Sequence, residues 1–335
     1  MNSRERVRAA VRFREPDKLP FNMSVSGYSD VFVTRGFNFG PRAKILDGDR
    51  VFSKDHFGCL FEMVNEKTMG LPTRPPLAEL SKLDSFQFPD PRDDSIYHNI
   101  ASQLARSQDQ YNLDSTIWFT FFERIHFLHG FDQTLIDLLT AKEDIKKLID
   151  KVSEFNIQVV KEIGRRFPGQ IHGINLSDDW GTQNATIIGQ DLFREMFAPG
   201  YKELFDTIHS FNMDVWLHSC GNVINFLPDL IELGVDAINF QQPRIFDLDV
   251  LHNFSGQICF NTPVDIQSTM PGGSKKDIYE EAELLINKLA TEKGGFVANE
   301  HGDYQGNGID PIKGKWAYQA FRKFDPYNVG NNADY

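Results

Sequence analysis

Predicted strands and helices alternate along most of this 335-residue chain, and this alternation constrains its fold more than any other feature. Apolar runs of strand length are separated by amphipathic segments of helical length, a pattern typical of βαβ units and a parallel sheet. No Gly-x-Gly-x-x-Gly motif follows an early strand, which disfavours a dinucleotide-binding fold. We therefore predict a (β/α)8 TIM barrel, with a doubly wound sheet as the alternative. The predicted strands span residues 116–121, 171–176, 215–217, 237–240, 257–261 and 295–299.

Polar residues collect directly after these strands. In a TIM barrel the carboxyl ends of the strands form the catalytic face, so these residues are predicted to share one site. They are Asp178 and Asp179, His218 and Cys220, Gln241 and Gln242, Asp265, and Glu300 and His301.

His218 and Cys220 form the most specific pair in this group. Successive side chains alternate between the two faces of a strand, so residues two apart point the same way. An imidazole and a thiolate that converge at a strand end make half of a zinc site, and catalytic zinc has three protein ligands. Glu300 and His301 are the predicted candidates for the third ligand, since Cys259 lies inside a core strand. The alternative is a buried Cys220 and a hydrogen-bonded His218 without metal.

Other residues near the strand ends have two interpretations each. One carboxylate of the adjacent Asp178 and Asp179 is expected to face the mouth, as a partner of the zinc-bound histidine or a substrate contact. Trp180 forms a pocket wall or packs in the core. Gln241 binds substrate or ends a strand.

Three further residues complete the predicted site. Asn239 and Asp265 are predicted substrate contacts at neighbouring strand ends. Asp55 is either a charge placed over the site or the centre of an Asx turn. It lies in residues 27–91, a loop-rich stretch that we interpret as an irregular lid on one domain spanning residues 1–335.

Composition limits the partners and the compartment. The formal charge is −12 without a basic cluster, which argues against nucleic acid as the main ligand. Three cysteines do not suggest a disulfide framework, so we expect a reducing compartment. No apolar signal core or membrane-spanning run is present in the sequence, and a cytoplasmic location is the expectation.

The ordered strand-end motifs resemble the uroporphyrinogen decarboxylase superfamily. They are DDWGTQ at 178–183, LHSCGN at 217–222, PDLI at 228–231 and NFQQP at 239–243. The resemblance covers nearly the whole chain and implies a TIM barrel that is commonly dimeric.

Two chemistries compete within that superfamily. The decarboxylases hold substrate carboxylates with an arginine-bearing segment after the first strand, whereas residues 21–28 here contain no arginine. The corrinoid-dependent methyltransferases bind zinc through a His-x-Cys pair, which His218 and Cys220 match, and a cysteine near the last strand, where this chain has Glu300 and His301. The resemblance thus implies a zinc-dependent methyltransferase that works with a corrinoid protein. The alternatives are a metal-free decarboxylase or lyase using Asp55 or Asp178, and a non-catalytic binding barrel.

Overall fold

The chain folds around a nine-stranded sheet that curls into a barrel. The computed structural model describes residues 1–37, 44–47, 50–63 and 70–327. The strands are β1 (Phe21–Met23), β2 (Tyr28–Ser29), β3 (Val31–Thr34), β4 (Lys44–Asp47), β5 (Arg50–Lys54), β6 (Leu60–Glu62), β7 (Leu71–Arg74), β8 (Tyr111–Asp114), β9 (Gly173–Ser177), β10 (Asp214–His218), β11 (Ala237–Asn239), β12 (Cys259–Thr262) and β13 (Phe296–Asn299).

Helices connect the barrel strands, as the alternating pattern predicts. They are α1 (Ser3–Val11), α2 (Asp94–Leu104), α3 (Phe122–His129), α4 (Phe131–Thr140), α5 (Lys142–Arg166), α6 (Gln190–Met196), α7 (Ala198–Ser210), α8 (Leu227–Leu233), α9 (Leu248–His252), α10 (Thr269–Gly272), α11 (Lys275–Leu289) and α12 (Ile312–Lys323). Short 3-10 helices span Leu80–Ser85, Ile224–Phe226 and Pro243–Ile245.

The sheet order is β2-β1-β13-β12-β11-β10-β9-β8-β3, and every neighbouring pair except β1 with β2 is parallel. Asp30 links the two ends of this sheet. Its backbone N–H donates to the carbonyl of Phe21 at 2.7 Å, and its carbonyl accepts from the N–H of Tyr111 at 2.8 Å. The sheet is therefore a nearly closed barrel, which confirms the predicted TIM barrel; the doubly wound alternative is wrong because the sheet ends meet.

Helix α1 covers the amino-terminal end of the barrel. Its apolar residues Val7, Ala10 and Val11 are buried in one cluster with side chains from inside the strands. These strand residues are Val31, Tyr111, Leu113, Trp216, Ala237, Cys259 and Val297. Two positions further along four successive strands, on the same face, the side chains become polar. This polar layer consists of His218, Asn239, Asn261 and Asn299.

The predicted lid contains more regular structure than the sequence suggests. Strands β4 to β7 form a separate antiparallel sheet in that order. The loop-rich composition hid these strands because they are short, and every residue of β7 is exposed, so apolar alternation is weak. Residues 38–43, 48–49 and 64–69 of the predicted lid lie outside the described residues.

The longest helix, α5, packs one face onto the barrel and carries charged residues on the other. Its buried residues include Ile145, Leu148, Ile149 and Val152, spaced at three and four positions. Within the described parts of the chain, no helix combines the length and apolarity that crossing a bilayer requires.

Candidate metal site at the barrel mouth

Asp179, His218 and Cys220 meet at the carboxyl ends of β9 and β10. The register pairs Ser177 with His218, so Asp179 lies opposite Cys220 two residues later. Nε2 of His218 is 3.3 Å from Sγ of Cys220 and 3.5 Å from Oδ1 of Asp179. One potential ligand atom from each residue lies within 4.8 Å of the others, and among the described residues this is the one such group of three.

Two glycines bring the strand ends this close. Gly221 has φ +78°, and a Cβ there would lie 2.1 Å from the carbonyl carbon of Gly181. A side chain at position 181 would clash in the same way, because a Cβ on Gly181 would lie 2.5 Å from the carbonyl carbon of Gly221. This contact lets the backbone N–H of Cys220 donate to Oδ1 of Asp179 at 2.8 Å. The glycine that follows the His-x-Cys pair therefore has a direct role in building the site.

Asn239 orients the imidazole of His218. Oδ1 of Asn239 is 2.7 Å from Nδ1 of His218, and Nε2 of Gln241 donates to the same oxygen at 3.1 Å. An amide oxygen accepts, so Nδ1 carries the proton and Nε2 points toward Cys220. This arrangement supports the ring of a metal-binding histidine. The predicted substrate contacts of Asn239 and Gln241 stay predictions.

The electrostatics of the triad reflect close contact between its members. Burial alone lowers the pKa of His218, but hydrogen bonds with Asp179 and Cys220 outweigh it and raise the pKa well above its usual value. Burial likewise opposes ionisation of Asp179, yet the His218 contact keeps its pKa below the usual range. The Trp118 ring stacks on His218 with centroids 5.6 Å apart. The Asp179 side chain remains 42% exposed, which leaves one side of the triad open.

Glu123 is a buried carboxyl group that sequence reasoning missed. It lies near the start of α3 and accepts a hydrogen bond from the hydroxyl of Ser177. Burial first, and then the charges of Asp179 and Asp178, raise the pKa of Glu123 well above its usual value. A carboxyl group that resists ionisation therefore borders the site. Nothing in the local sequence marks it, because a glutamate at a helix start is usually solvated.

Glu300 and His301, the predicted third ligands, are not brought into the triad. The Glu300 carboxylate accepts from the backbone N–H groups of Val25 and Ser26, the Ser26 hydroxyl and the Tyr304 hydroxyl. The His301 ring contacts Asp303 and Asn307 instead. Here the sequence prediction is wrong, because the loop after β13 fastens these side chains to its own neighbours. Asp179 occupies the third position.

Asp178 and Trp180 are structural residues, which corrects their predicted catalytic and pocket roles. The Asp178 carboxylate accepts from the N–H groups of Phe121 and Glu123 at the start of α3 and from the Tyr201 hydroxyl. Burial raises its pKa to about 7. Trp180 is fully buried, and its indole N–H donates to Tyr201. These side chains point away from the mouth because adjacent residues alternate faces.

Asp55 and Asp265 each hold a loop together. Oδ1 of Asp55 accepts from the N–H groups of Phe57 and Cys59, and Oδ2 forms an ion pair with Arg124. These contacts match the Asx turn that the sequence offers as one interpretation of Asp55, and they leave no carboxylate oxygen for a catalytic role. Asp265 is 1% exposed and accepts four hydrogen bonds from its own loop and from Arg244, so its predicted substrate role is wrong.

The triad fits a zinc ion by its chemistry and spacing. An imidazole nitrogen, a sulfur and a carboxylate oxygen are the usual zinc ligands, and three of them leave a fourth position open. Ligand atoms at about 2.0–2.3 Å from a tetrahedral ion lie about 3.3–3.8 Å apart. The 3.3 and 3.5 Å separations around Nε2 of His218 match that range.

Comparison with solved structures supports the barrel. The methyltransferase from Methanosarcina mazei matches over 97% of this chain and 99% of its own, with 13% identity and a TM-score of 0.70. At this identity the match shows a common fold. The intracellular xylanase TsXylA from Thermoanaerobacterium saccharolyticum matches over 68% of this chain and 79% of its own at 10% identity, but its TM-score of 0.38 is too low to support an argument.

Comparison with protein families identifies the chain's relatives. No curated protein matches the sequence significantly. Residues 39–306, well over half of the chain, match the uroporphyrinogen decarboxylase (URO-D) family. This match includes the strand-end motifs from which the site is built. The chain belongs to the uroporphyrinogen decarboxylase family.

Proposed function

We propose that this chain is a zinc-dependent methyltransferase that moves a methyl group between a small substrate and a corrinoid carried by a partner protein. The observation that carries the proposal is the convergence of Asp179, His218 and Cys220 at the barrel mouth. The fold shared with a Methanosarcina mazei methyltransferase supports it. The homodimer implied by the sequence resemblance stays a prediction.

The residues of the chain divide the work at this site. Asp179, His218 and Cys220 would hold zinc, which when bound lowers the pKa of a substrate thiol or polarises a methoxy or amine group. Asn239 would keep Nε2 of His218 directed at such an ion. Glu123, whose pKa is raised by burial, would supply a proton next to the triad.

The decarboxylase alternative finds less support in the described residues. Its proposed acids are engaged elsewhere: Asp178 caps α3, and Asp55 pairs with Arg124. Residues 21–28, where the family's decarboxylases carry arginine, instead bind the Glu300 carboxylate through the backbone N–H groups of Val25 and Ser26. A substrate with many carboxylates would meet like charge there.

A methyl-transfer assay with free cobalamin tests the proposal. Zinc-loaded protein is mixed with cob(I)alamin and methoxy or methylamine donors, or with methylcobalamin and small thiols, and the cobalt absorbance is followed. We expect turnover that requires zinc and is lost in Cys220→Ala. Cys259→Ala is the matched control, because this cysteine is equally small but fully buried in the barrel core.

Two results would contradict the proposal. One is turnover that persists in metal-free protein or in Cys220→Ala. The other is decarboxylation of uroporphyrinogen by protein that transfers no methyl group. A folded, zinc-free barrel that binds small molecules without turnover would support the non-catalytic alternative instead.

A further inference from the structure

Two asparagines of the polar layer face the barrel mouth beside the metal site. Asn261 follows Cys259 by two residues on β12, and Asn299 follows Val297 by two on β13. Cys259 and Val297 belong to the interior cluster, so Asn261 and Asn299 also point inward. Asn261 continues the row that His218 and Asn239 begin; its register partner on β13 is Val297, so Asn299 lies two residues further toward the mouth.

These two amides lack the partners that their neighbours have. Asn239 contacts His218 through Oδ1 and donates from Nδ2 to the carbonyl of Asn261. Asn175, on β9, donates to the hydroxyl of Ser115 at 3.0 Å. Asn261 is only 4% exposed, yet its Oδ1 is buried without a hydrogen-bond partner. Asn299 is 6% exposed, and its side-chain amide makes no hydrogen bond within the described residues, but its polar atoms keep some contact with solvent.

An unpartnered buried amide needs an explanation, because nearly all buried polar groups in native proteins are hydrogen-bonded. Leucine has a similar volume and would avoid the desolvation cost at position 261. Neither residue caps a helix or closes a turn. A ligand that enters the mouth can supply the missing partner.

We propose that Asn261 and Asn299 anchor an uncharged polar group of the substrate, such as a hydroxyl or a carboxamide, while its methyl-bearing end faces Cys220 and His218. This inference rests on the proposed function, since it takes the triad as the reacting end. It assigns a substrate class and two specificity residues.

The charges around the mouth favour an uncharged or cationic head over a carboxylate. Asp179 supplies a carboxylate at the end of β9, and Glu300 supplies another directly after Asn299 on β13. The guanidinium of Arg124, next to Glu123 in the chain, is already paired with Asp55. A carboxylate head would therefore add a like charge beside Asp179 and Glu300, and the Arg124 guanidinium is not free to offset it.

Strand spacing sets the size of the substrate. Neighbouring strands are about 4.8 Å apart, so Asn261, two strands from His218, lies about 10 Å from it along the barrel wall. Both side chains extend into the mouth and shorten this gap, so a molecule with one or two heavy atoms between the methyl-bearing atom and the polar head is the smallest that reaches both ends. Larger substrates would have to extend out of the mouth.

A series of four methoxy compounds tests the assignment, since they differ only in the head group. The probes are 2-methoxyethanol, methoxyacetamide, 2-methoxyethylamine and methoxyacetate. Binding to the full chain is measured by ligand-observed NMR titration, with zinc-loaded and metal-free protein. We expect the hydroxyl and carboxamide probes to bind at least about tenfold more tightly than methoxyacetate, a difference of one hydrogen bond.

Substitution of the amides should separate binding from stability. Asn261→Leu and Asn299→Leu should each lose about tenfold in affinity for methoxyacetamide. Asn261→Leu should in addition raise Tm, because it removes a buried polar atom that has no partner. Asn261→Ser serves as a second variant if the leucine does not fit. Asn156→Leu is the matched control: its amide donates to the carbonyl of Thr120 at 2.7 Å, so it should lower Tm and leave probe binding unchanged.

Three outcomes would overturn the assignment: methoxyacetate binding as tightly as methoxyacetamide, full affinity in Asn261→Leu and Asn299→Leu, or no binding of any probe to either form. Failure of the zinc proposal is recognised separately, because head-group discrimination is also measured on metal-free protein. If the protein binds no zinc but still discriminates between the head groups through Asn261, the substrate assignment stands and the methyltransferase proposal is wrong.

Discussion

Asn239 and His218 are joined by a 2.7 Å contact between Oδ1 and Nδ1 that fixes which ring nitrogen faces Cys220 and Asp179. The contact links neighbouring strands, β10 and β11, which pair His218 with Asn239 in register. The imidazole therefore cannot turn without breaking a hydrogen bond in the barrel interior. Orientation of this kind accompanies most metal-binding histidines.

The first prediction follows from this contact. Asn239→Leu removes the acceptor for the Nδ1 proton and should weaken zinc binding about 10–100-fold, the usual cost of losing such a supporting residue. Competition with a chromophoric chelator measures the affinity. Asn175→Leu, which removes an amide bonded to Ser115 rather than to a ligand, is the control. Equal affinities for the two variants would argue against an orienting role for Asn239.

The second prediction concerns acid stability and His172. Its Nδ1 accepts from the backbone N–H of Asn112 at 2.7 Å, and burial, aided by the charges of Arg4 and Arg8, lowers its pKa from 6.5 to about 4. The folded state therefore holds this imidazole neutral, so the unfolded state binds one more proton between pH 6.5 and pH 4. Stability from this residue is complete above pH 6.5 and is lost as the pH falls, at up to about 1.4 kcal/mol per pH unit.

Urea denaturation of wild type and His172→Asn across pH 4 to 7 measures this effect. The asparagine side chain can still accept from Asn112 but does not titrate in this range. Its free energy of unfolding should depend on pH less steeply than that of the wild type. His126, whose pKa burial also lowers to about 4, should account for part of the remaining slope. Identical slopes in the two proteins would contradict the assignment.

The third prediction treats Trp180 as a core residue. Its ring packs on Phe122 at 4.5 Å and Phe197 at 4.8 Å between centroids, without exposed surface. Trp180→Ala should lower the free energy of unfolding by about 3–5 kcal/mol, as expected for a large buried side chain. Trp316→Ala, at a partly buried position on α12, should cost clearly less. A mild effect at Trp180 with a selective loss of ligand binding would restore the pocket-wall interpretation.

The fourth prediction concerns the buried ion pair of Asp55 and Arg124. Both side chains are less than a tenth exposed, and the guanidinium also lies 4.1 Å from the ring centre of Phe57. Asp55→Asn keeps the acceptor for the loop N–H groups but leaves Arg124 unpaired, which should cost about 3 kcal/mol or more of unfolding free energy. Thermal or chemical denaturation provides the measurement.

A surface pair supplies the comparison for Asp55. Asp47→Asn breaks the exposed pair with Arg74 and should leave stability nearly unchanged, because solvent screens that interaction. The zinc content of Asp55→Asn should equal that of the wild type, since Asp55 is a loop residue in this account. Normal stability with lost activity would instead support a catalytic Asp55.

The barrel was predictable because its signals are local. The predicted strands at 237–240, 257–261 and 295–299 overlap β11, β12 and β13, and the alternation with helices follows from side-chain periodicity. The predicted strand at 116–121 was misplaced: β8 is Tyr111–Asp114. The apolar run 117–121 resembles a strand, whereas the real strand alternates Tyr111 and Leu113 inward with the polar Asn112 and Asp114.

The site was only partly predictable because its third member depends on register. His218 and Cys220 are two residues apart, so strand periodicity alone puts them together. Asp179 reaches them only because β9 and β10 pair Ser177 with His218 and because Gly181 and Gly221 pack backbone to backbone. Two polar strand ends, each followed by a glycine, are the signal that points to this partner. Glu300 carries the right chemistry, but contacts within its own loop determine its position.

The zinc content of purified protein tests the central claim most directly. Elemental analysis of wild type, Asp179→Ala, His218→Ala and Cys220→Ala should give about one zinc per chain in the wild type and far less in each variant. Cys259→Ala, Glu300→Gln and His301→Ala should keep the wild-type amount. Two results would contradict the account: folded wild-type protein that takes up no zinc when zinc is added, or Cys220→Ala protein that keeps the full wild-type amount of zinc.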